Sequence, residues 1–193
     1  ERQELHILGG KQDHYGSALG GINFMEFRGD DVKASRLTLS RDTRLELEKN
    51  LLIVYTGKSR LSGDIHSNVT TAWKSGDANT VDAIKQLKRI TWEMKEALLG
   101  GDLDSFGRLM SENWQQQKRL HPSVTNDQIE KLFEIAHAQG ALGGKAGGAG
   151  GGGCLIFYRR PDCEHKVQKA LEAEGVEVID FNFDDLGAQT WRA

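Results

Sequence analysis

The sequence predicts an α+β sandwich, a sheet with helices packed on one face. From residue 51 onward, short β-branched and aromatic runs and longer stretches of helical periodicity follow in the order strand, helices, strand, strand, helix, strand. Glycine stands at most of the junctions, and 193 residues of which 38% are hydrophobic suffice for one well-cored domain or two small ones.

Leu5 and Leu8 at helical spacing before Gly9-Gly10 predict a helix over residues 1–8, ended by glycine. Lys11 to Leu19 reads as a loop. Ile22 to Phe27 and Val32 to Leu39 flank Gly29-Asp30-Asp31, which predicts a hairpin because those turn residues tolerate positive φ. A charged segment, Arg41 to Asn50, leads to Leu51-Leu52-Ile53-Val54-Tyr55, a buried strand stopped by Thr56-Gly57. Apolar residues at intervals of three and four predict helices over Asp77–Leu99, Asp102–Leu120 and Thr125–Gln139. Asp102 is placed to cap the second, and Thr125 with Gln128 to form a capping box on the third. Trp73, Trp92 and Trp114 then serve helix packing. Leu142 to Lys145 extends into a strand, Cys154 to Tyr158 forms the next, Asp162 caps a helix through Ala173, and Val176 to Phe183 is the last strand.

Composition excludes several classes of function. Lys+Arg of 25 against Asp+Glu of 28 gives a net charge of -3, so no basic field attracts a nucleic acid. The apolar runs are strand-sized, far short of the roughly 20 residues of a membrane helix. Cys154 and Cys163 are too few for a disulfide framework, which favours a reducing, cytoplasmic setting. His6, His66, His121, His137 and His165 are scattered with no ligand spacing, so no zinc site is expected from them. Glu1-Arg2-Gln3-Glu4 carries neither an initiator Met nor a signal-peptide pattern, and a chain cut from a longer one is expected.

Two motifs could carry chemistry. Gly143 to Gly153 offers a bare backbone that a phosphate or a second loop can approach closely, with amides turned towards an anion. Its bland alternative is a flexible linker. Gly148-x-Gly150-x-x-Gly153 fits the dinucleotide fingerprint, but a strand follows it where a helix is required. Walker A fails too, because Lys145 precedes Ala146. The second motif is Lys11-Gln12-Asp13 between glycine breaks, where Asp13 could take a proton from a substrate hydroxyl; read alone, such an Asp is more simply a helix cap. Lys58 and Arg60, just past a strand end, could hold a phosphate or simply form a solvated turn.

Together these strings resemble the GHMP kinases over nearly the whole chain. Gly144-Lys145-Ala146-Gly147-Gly148-Ala149-Gly150-Gly151-Gly152-Gly153 is similar to that family's glycine loop, Lys11-Gln12-Asp13 to the segment bearing its catalytic aspartate, and Leu51 to Arg60 to the strand opening its carboxyl-terminal domain. Within the family, the branch of heptose 7-phosphate and fucose kinases is nearest, with His14 departing from its pattern. The resemblance implies a remnant of the amino-terminal domain over 1–48 and a ferredoxin-like carboxyl-terminal domain over 49–193. It implies ATP and Mg2+ as cofactors, the metal ligands and phosphate loop lying upstream of residue 1. A sugar or sugar phosphate is then the acceptor, Asp13 the catalytic residue and Lys11, Gln12 and Arg60 substrate-binding residues. Gly147, Gly148, Ala149, Gly150, Gly151 and Gly152 support the ATP site through their backbone. An apolar face left where an upstream half would pack would allow a homodimer.

Two rival readings remain open at this point: a non-catalytic member that keeps the kinase shape to bind a sugar or a protein, and an unrelated ferredoxin-like ligand-binding domain. Substituting Asp13 separates the kinase reading from the second rival.

Overall fold

A computed structural model describes residues 10–58 and 63–191. The helix expected over residues 1–8, and Arg60, lie outside the described residues. In chain order the elements are α1 (Gln12–Leu19), β1 (Asn23–Arg28), β2 (Asp31–Arg36), α2 (Arg41–Asn50), β3 (Leu51–Tyr55), α3 (Gly63–Lys74), α4 (Ala78–Gly100), α5 (Leu103–Lys118), α6 (Asp127–Gln139), β4 (Ala141–Ala146), β5 (Cys154–Arg159), α7 (Glu164–Glu172) and β6 (Glu177–Ile179).

β1 and β2 form the expected antiparallel hairpin, Asn23 opposite Arg36 and Arg28 opposite Asp31. The larger sheet runs β4-β5-β3-β6 with every neighbouring pair antiparallel. With α3 to α6 between β3 and β4, and α7 between β5 and β6, the order is the β-α-β-β-α-β of a ferredoxin-like sandwich.

Alternation along the strands divides the core. Leu52, Val54, Leu155 and Phe157 face one way and meet Ile129, Leu132, Phe133 and Ala136 of α6 and Val167 and Leu171 of α7, all buried. Trp114 stacks on Phe133 here, ring centroids 5.3 Å apart. The opposite face is covered as well, beyond what the sequence suggested. Tyr158, with partly buried Leu51 and Ile156, packs against Leu47 of α2, Leu98 of α4, and Leu103 and Met110 of α5. α5 passes along the β4 edge and so serves both clusters. Gly143 and Gly107 let it approach so closely that a Cβ on Gly143 would collide with the Gly107 carbonyl.

Arg159 joins α2 to this sheet. Its guanidinium is 6% exposed and donates to the carbonyls of Lys49 (2.7 Å), Asn50 (3.2 Å) and Leu51 (3.0 Å), where the helix leaves carbonyls without an intrahelical partner.

Several local expectations are corrected. Lys11 to Leu19 is mostly helix, and Arg41 to Asn50 is a helix capped by Ser40, whose Oγ accepts from the Thr43 amide at 3.0 Å. Asp102 caps α5 as expected, accepting from Ser105. The cap of α6 is Asn126, accepting from the Ile129 amide at 3.0 Å, while Thr125 Oγ1 donates to Glu130 instead of forming the expected box. Asp162 does not cap α7: Cys163 holds that position without a side-chain bond, and Asp162 sits at φ 64°. The final strand is only Glu177–Ile179, because the chain beyond it leaves the sheet. Trp73 and Trp92 are 45% and 46% exposed, so only Trp114 is a core residue of the three.

That departing tail returns to the beginning of the described chain. The Gly21 amide donates to the Asp184 carbonyl at 2.6 Å and the Ala188 amide to the Ala18 carbonyl at 3.1 Å. Asp185 pairs with Arg36 (3.1 Å) and Arg44 (2.8 Å). Gly187 is required where backbone crosses backbone, since a Cβ there would meet the Ala18 carbonyl and the Gly20 amide.

Candidate functional site

The glycine segment forms the ordered connection between antiparallel β4 and β5, so neither a linker nor a strand-to-helix phosphate loop describes it. Gly148, Gly150, Gly151, Gly152 and Gly153 all have positive φ, a path that side-chain-bearing residues resist. The Gly151 amide donates to the Val124 carbonyl at 2.6 Å and the Gly153 amide to the Lys58 carbonyl at 2.7 Å. The Gly153 carbonyl accepts from both the amide and the Oγ1 of buried Thr56, each at 3.0 Å. Gln117 Nε2 reaches the Gly148 carbonyl at 2.7 Å. A Cβ on Gly150 would strike the Val124 carbonyl, and one on Gly152 would stand 2.7 Å from the Lys58 carbonyl.

The expected anion nest is therefore partly spent on holding the loop in shape. Among the described residues, the amides of Gly148, Ala149, Gly150 and Gly152 make no protein hydrogen bond and remain for a ligand or solvent. Lys58 serves the loop through its carbonyl, while its side chain lies in solvent.

Asp13 lies in the first turn of α1 and is exposed. It does not cap that helix, because Lys11 occupies the N-cap position and no side chain closes it. The helix dipole favours a carboxylate at this end. Lys11, expected to meet substrate, pairs with Asp30 at 3.0 Å, tying α1 to the hairpin turn.

Gln12 brings the two motifs together. A cavity of about 230 Å³ is lined by Gln12 on one side, by Gly148 and Ala149 on another, and by Lys145, Asn113 and Gln117 at its polar wall. Ile65 and Val69 of α3, with Leu87, Leu120 and Val124, supply apolar lining. Burial holds the Lys145 ammonium below the ordinary lysine pKa, because it strips water from the charge. Arg60 cannot be placed against this cavity, as it lies outside the described residues.

Thr56, Val124, Asn113, Gln117 and Lys145 are the residues that sequence reasoning did not assign to the site. Thr56 looked like a strand stop, and Lys145 only like a letter of the glycine string. Asn113 and Gln117 lie four apart on α5, where polar residues at one helical spacing amid an apolar stripe were the available signal.

Among the described residues, no group of three or more His, Cys, Asp or Glu could hold a metal ion, and no helix is long and apolar enough to cross a membrane.

Comparison with known proteins gives one family. Residues 94–177 match the model of the carboxyl-terminal domain of GHMP kinases. The chain is 34% identical over 193 residues to a D-glycero-α-D-manno-heptose 7-phosphate kinase of Campylobacter jejuni, covering all of this chain and 56% of that protein. It is 33% identical over 168 residues to a bifunctional fucokinase/GDP-fucose pyrophosphorylase of Arabidopsis thaliana, covering 85% of this chain and 16% of that protein. A crystal structure described as a D-glycero-D-manno-heptose 1-phosphate kinase from Bacteroides thetaiotaomicron superposes with a TM-score of 0.73 at 30% identity, over the whole of this chain and 52% of that one. The chain thus spans about half the length of the heptose phosphate kinases it matches.

Proposed function

We propose, for a chain that carries a GHMP kinase carboxyl-terminal domain, that the protein containing it is an ATP-dependent sugar kinase acting on the anomeric hydroxyl of D-glycero-D-manno-heptose 7-phosphate. The observation that carries this reading is the meeting of the Lys11-Gln12-Asp13 segment and the glycine loop at one cavity. ATP supplies the phosphoryl group. Asp13 accepts or steers the proton of the attacking hydroxyl, its exposed carboxylate facing solvent until substrate arrives. Gln12 positions the acceptor, Arg60 contributes to substrate binding, and Lys11 neutralises charge once substrate competes for it against Asp30. The loop from Gly147 to Gly152 backs the ATP site with its unspent amides, its shape set by Thr56, Lys58 and Val124.

In this reading Mg2+ would be held by residues upstream of residue 1. The domain boundary is placed near residue 48. The hairpin of β1 and β2 forms its own sheet, and the four-stranded sheet begins at Leu51, which supports that division. The absence of a disulfide framework supports a cytoplasmic setting.

The test is ADP release by the full-length polypeptide with MgATP and a panel of heptose 7-phosphate, L-fucose, galactose and mevalonate. Turnover on heptose 7-phosphate supports the reading, and turnover on another acceptor alone replaces the sugar. A folded protein that neither turns over nor binds ATP is instead a non-catalytic relative.

A further inference from the structure

α1 carries Asp13 and Gln12 but buries none of its own side chains, so it takes its direction from its neighbours. At its amino end Lys11 pairs with Asp30 at 3.0 Å, and midway the Tyr15 ring stands edge-on to Phe27 of β1, centroids 6.4 Å apart. Its carboxyl end is held by the far end of the described chain. The Ala188 amide donates to the Ala18 carbonyl at 3.1 Å and the Gly21 amide to the Asp184 carbonyl at 2.6 Å, so the tail is bonded to backbone on both sides of Gly20. Gly20 and Gly187 cross there with no room for a Cβ on either, a closeness that a tail resting loosely on a surface does not require.

The tail is in turn fastened to the sandwich. The Phe183 amide donates to Glu48 at 2.8 Å and its carbonyl accepts from Arg44 at 3.2 Å, both on α2, which Arg159 ties to the sheet. Asp185 completes the connection: one carboxylate oxygen meets Arg36 of β2 at 3.1 Å, the other meets Arg44 at 2.8 Å, and its carbonyl accepts from Arg36 at 2.9 Å. One residue thus joins the hairpin, α2 and the end of α1.

We propose that Asp185 is a positioning residue for phosphoryl transfer: through the clasp of Asp184 to Ala188 it fixes the tilt of α1, and with it the place of Asp13 and Gln12 beside the glycine loop. This rests on the sugar-kinase reading above. Asp13 stands seven residues before Gly20, about 10 Å along the helix, so a tilt of about 6° at the clasp carries it about 1 Å, and a displacement of that size costs about 10²-fold in rate. The ordinary alternative is a tail that only adds stability, but ion pairs as exposed as these contribute little to it.

The experiment uses the full-length protein with MgATP and whichever acceptor of the panel above it turns over; that turnover tests the kinase reading by itself. D185A should lower kcat about 10- to 100-fold. Its KM for ATP should stay within about twofold, because the glycine loop is tied to Val124, Lys58 and Gln117 and not to the clasp. D185E, which keeps the carboxylate, should stay within about threefold of wild type in kcat. D77A, which removes the oxygen that caps α4 by accepting from the Thr80 amide, serves as the stability control: its denaturation midpoint should fall while kcat holds. In a D13N background D185A should lower kcat far less than in wild type, because a base that is absent cannot be misplaced. Amide hydrogen exchange should quicken about 10-fold in α1 of D185A and stay unchanged in α5. If D185A folds poorly, D185N is read in its place. An unchanged kcat in folded D185A, or a full additional loss on top of D13N, overturns the positioning role and leaves the kinase reading intact. If the wild type turns nothing over, hydrogen exchange decides the clasp alone: faster exchange confined to α1 and its flanking glycines supports it, and unchanged or uniformly faster exchange overturns it.

Discussion

The glycine loop and α1 border the same cavity yet are built on opposite principles. The loop works through backbone: five residues at positive φ, the amides of Gly151 and Gly153 and the carbonyls of Gly148, Gly151 and Gly153 tied to the turn after β3, to α5 and to the start of α6, and no room for a Cβ at Gly150. α1 works through side chains: it has no buried residue, and Asp13 and Gln12 project from an eight-residue helix held by its neighbours at its ends. The loop can therefore be broken by adding a Cβ at Gly150 or Gly152. α1 tolerates most changes except those at the atoms that react.

Asp13→Asn should show the contrast most sharply. Losing the proposed general base is expected to lower kcat about 10²- to 10⁴-fold, with the melting temperature of the full-length protein unchanged. Retained turnover would remove Asp13 from catalysis. Gly150→Val should act through stability as well, costing about 1–3 kcal/mol by overpacking against Val124, read by urea unfolding, while far-ultraviolet dichroism keeps its helical signal. An unaltered denaturation midpoint would mean the loop yields freely.

Thr56→Val tests the tether from the strand side. It removes the hydroxyl that bonds the Gly153 carbonyl and should cost about 1 kcal/mol, with kcat falling because the loop loosens. Ser40→Ala, which removes the α2 cap, should cost a similar amount, about 1 kcal/mol, but leave kcat nearly unchanged. The pair separates loop support from general stability in one denaturation series.

The smallest effect expected is a pH dependence at Glu130. Burial opposes its ionisation, but hydrogen bonds from Thr125 and Lys118 outweigh this and hold its pKa below the ordinary carboxylate value. Its contribution is therefore fully present above the unfolded-state pKa near 4.5 and lost as pH falls through the lower folded value. Denaturation midpoints of wild type and Glu130→Gln should converge below that range. Midpoints that stay equally far apart at acid pH would remove the ionised pair from the stability of α6.

The loop was legible in the sequence because its constraint is compositional: a run of glycine beside a β-branched strand has few other uses. β3, β5 and the helices α4, α5 and α6 were legible for the same reason, since burying one face imposes a period. α2 was not, because Leu45 and Leu47 are the only apolar residues in a charged ten-residue segment, and its packing comes from Leu47 and from Arg159 beyond. α1 was mistaken for a loop because flanking glycines dominate so short a helix. β6 was overextended because Phe181 and Phe183 suit a strand, although they pack on each other, ring centroids 5.7 Å apart, beyond its end. Lys145 and Asn113 could not be paired from sequence at all. Only the alignment of β4 along α5 makes them neighbours of one cavity.

The clasp of Asp184 to Ala188 on the early segment also has a temporal side. Arg36 meets Asp185 across 149 residues of chain, and Gly21 meets Asp184 across a comparable span. At a synthesis rate of about 5–20 residues per second, the hairpin and α1 wait on the order of 10–30 s after leaving the ribosome before their clasp exists. The segment bearing Asp13 is therefore born unfinished, and a ribosome that stalls before Asp184 releases a chain whose sandwich can form while its reactive edge stays unlatched.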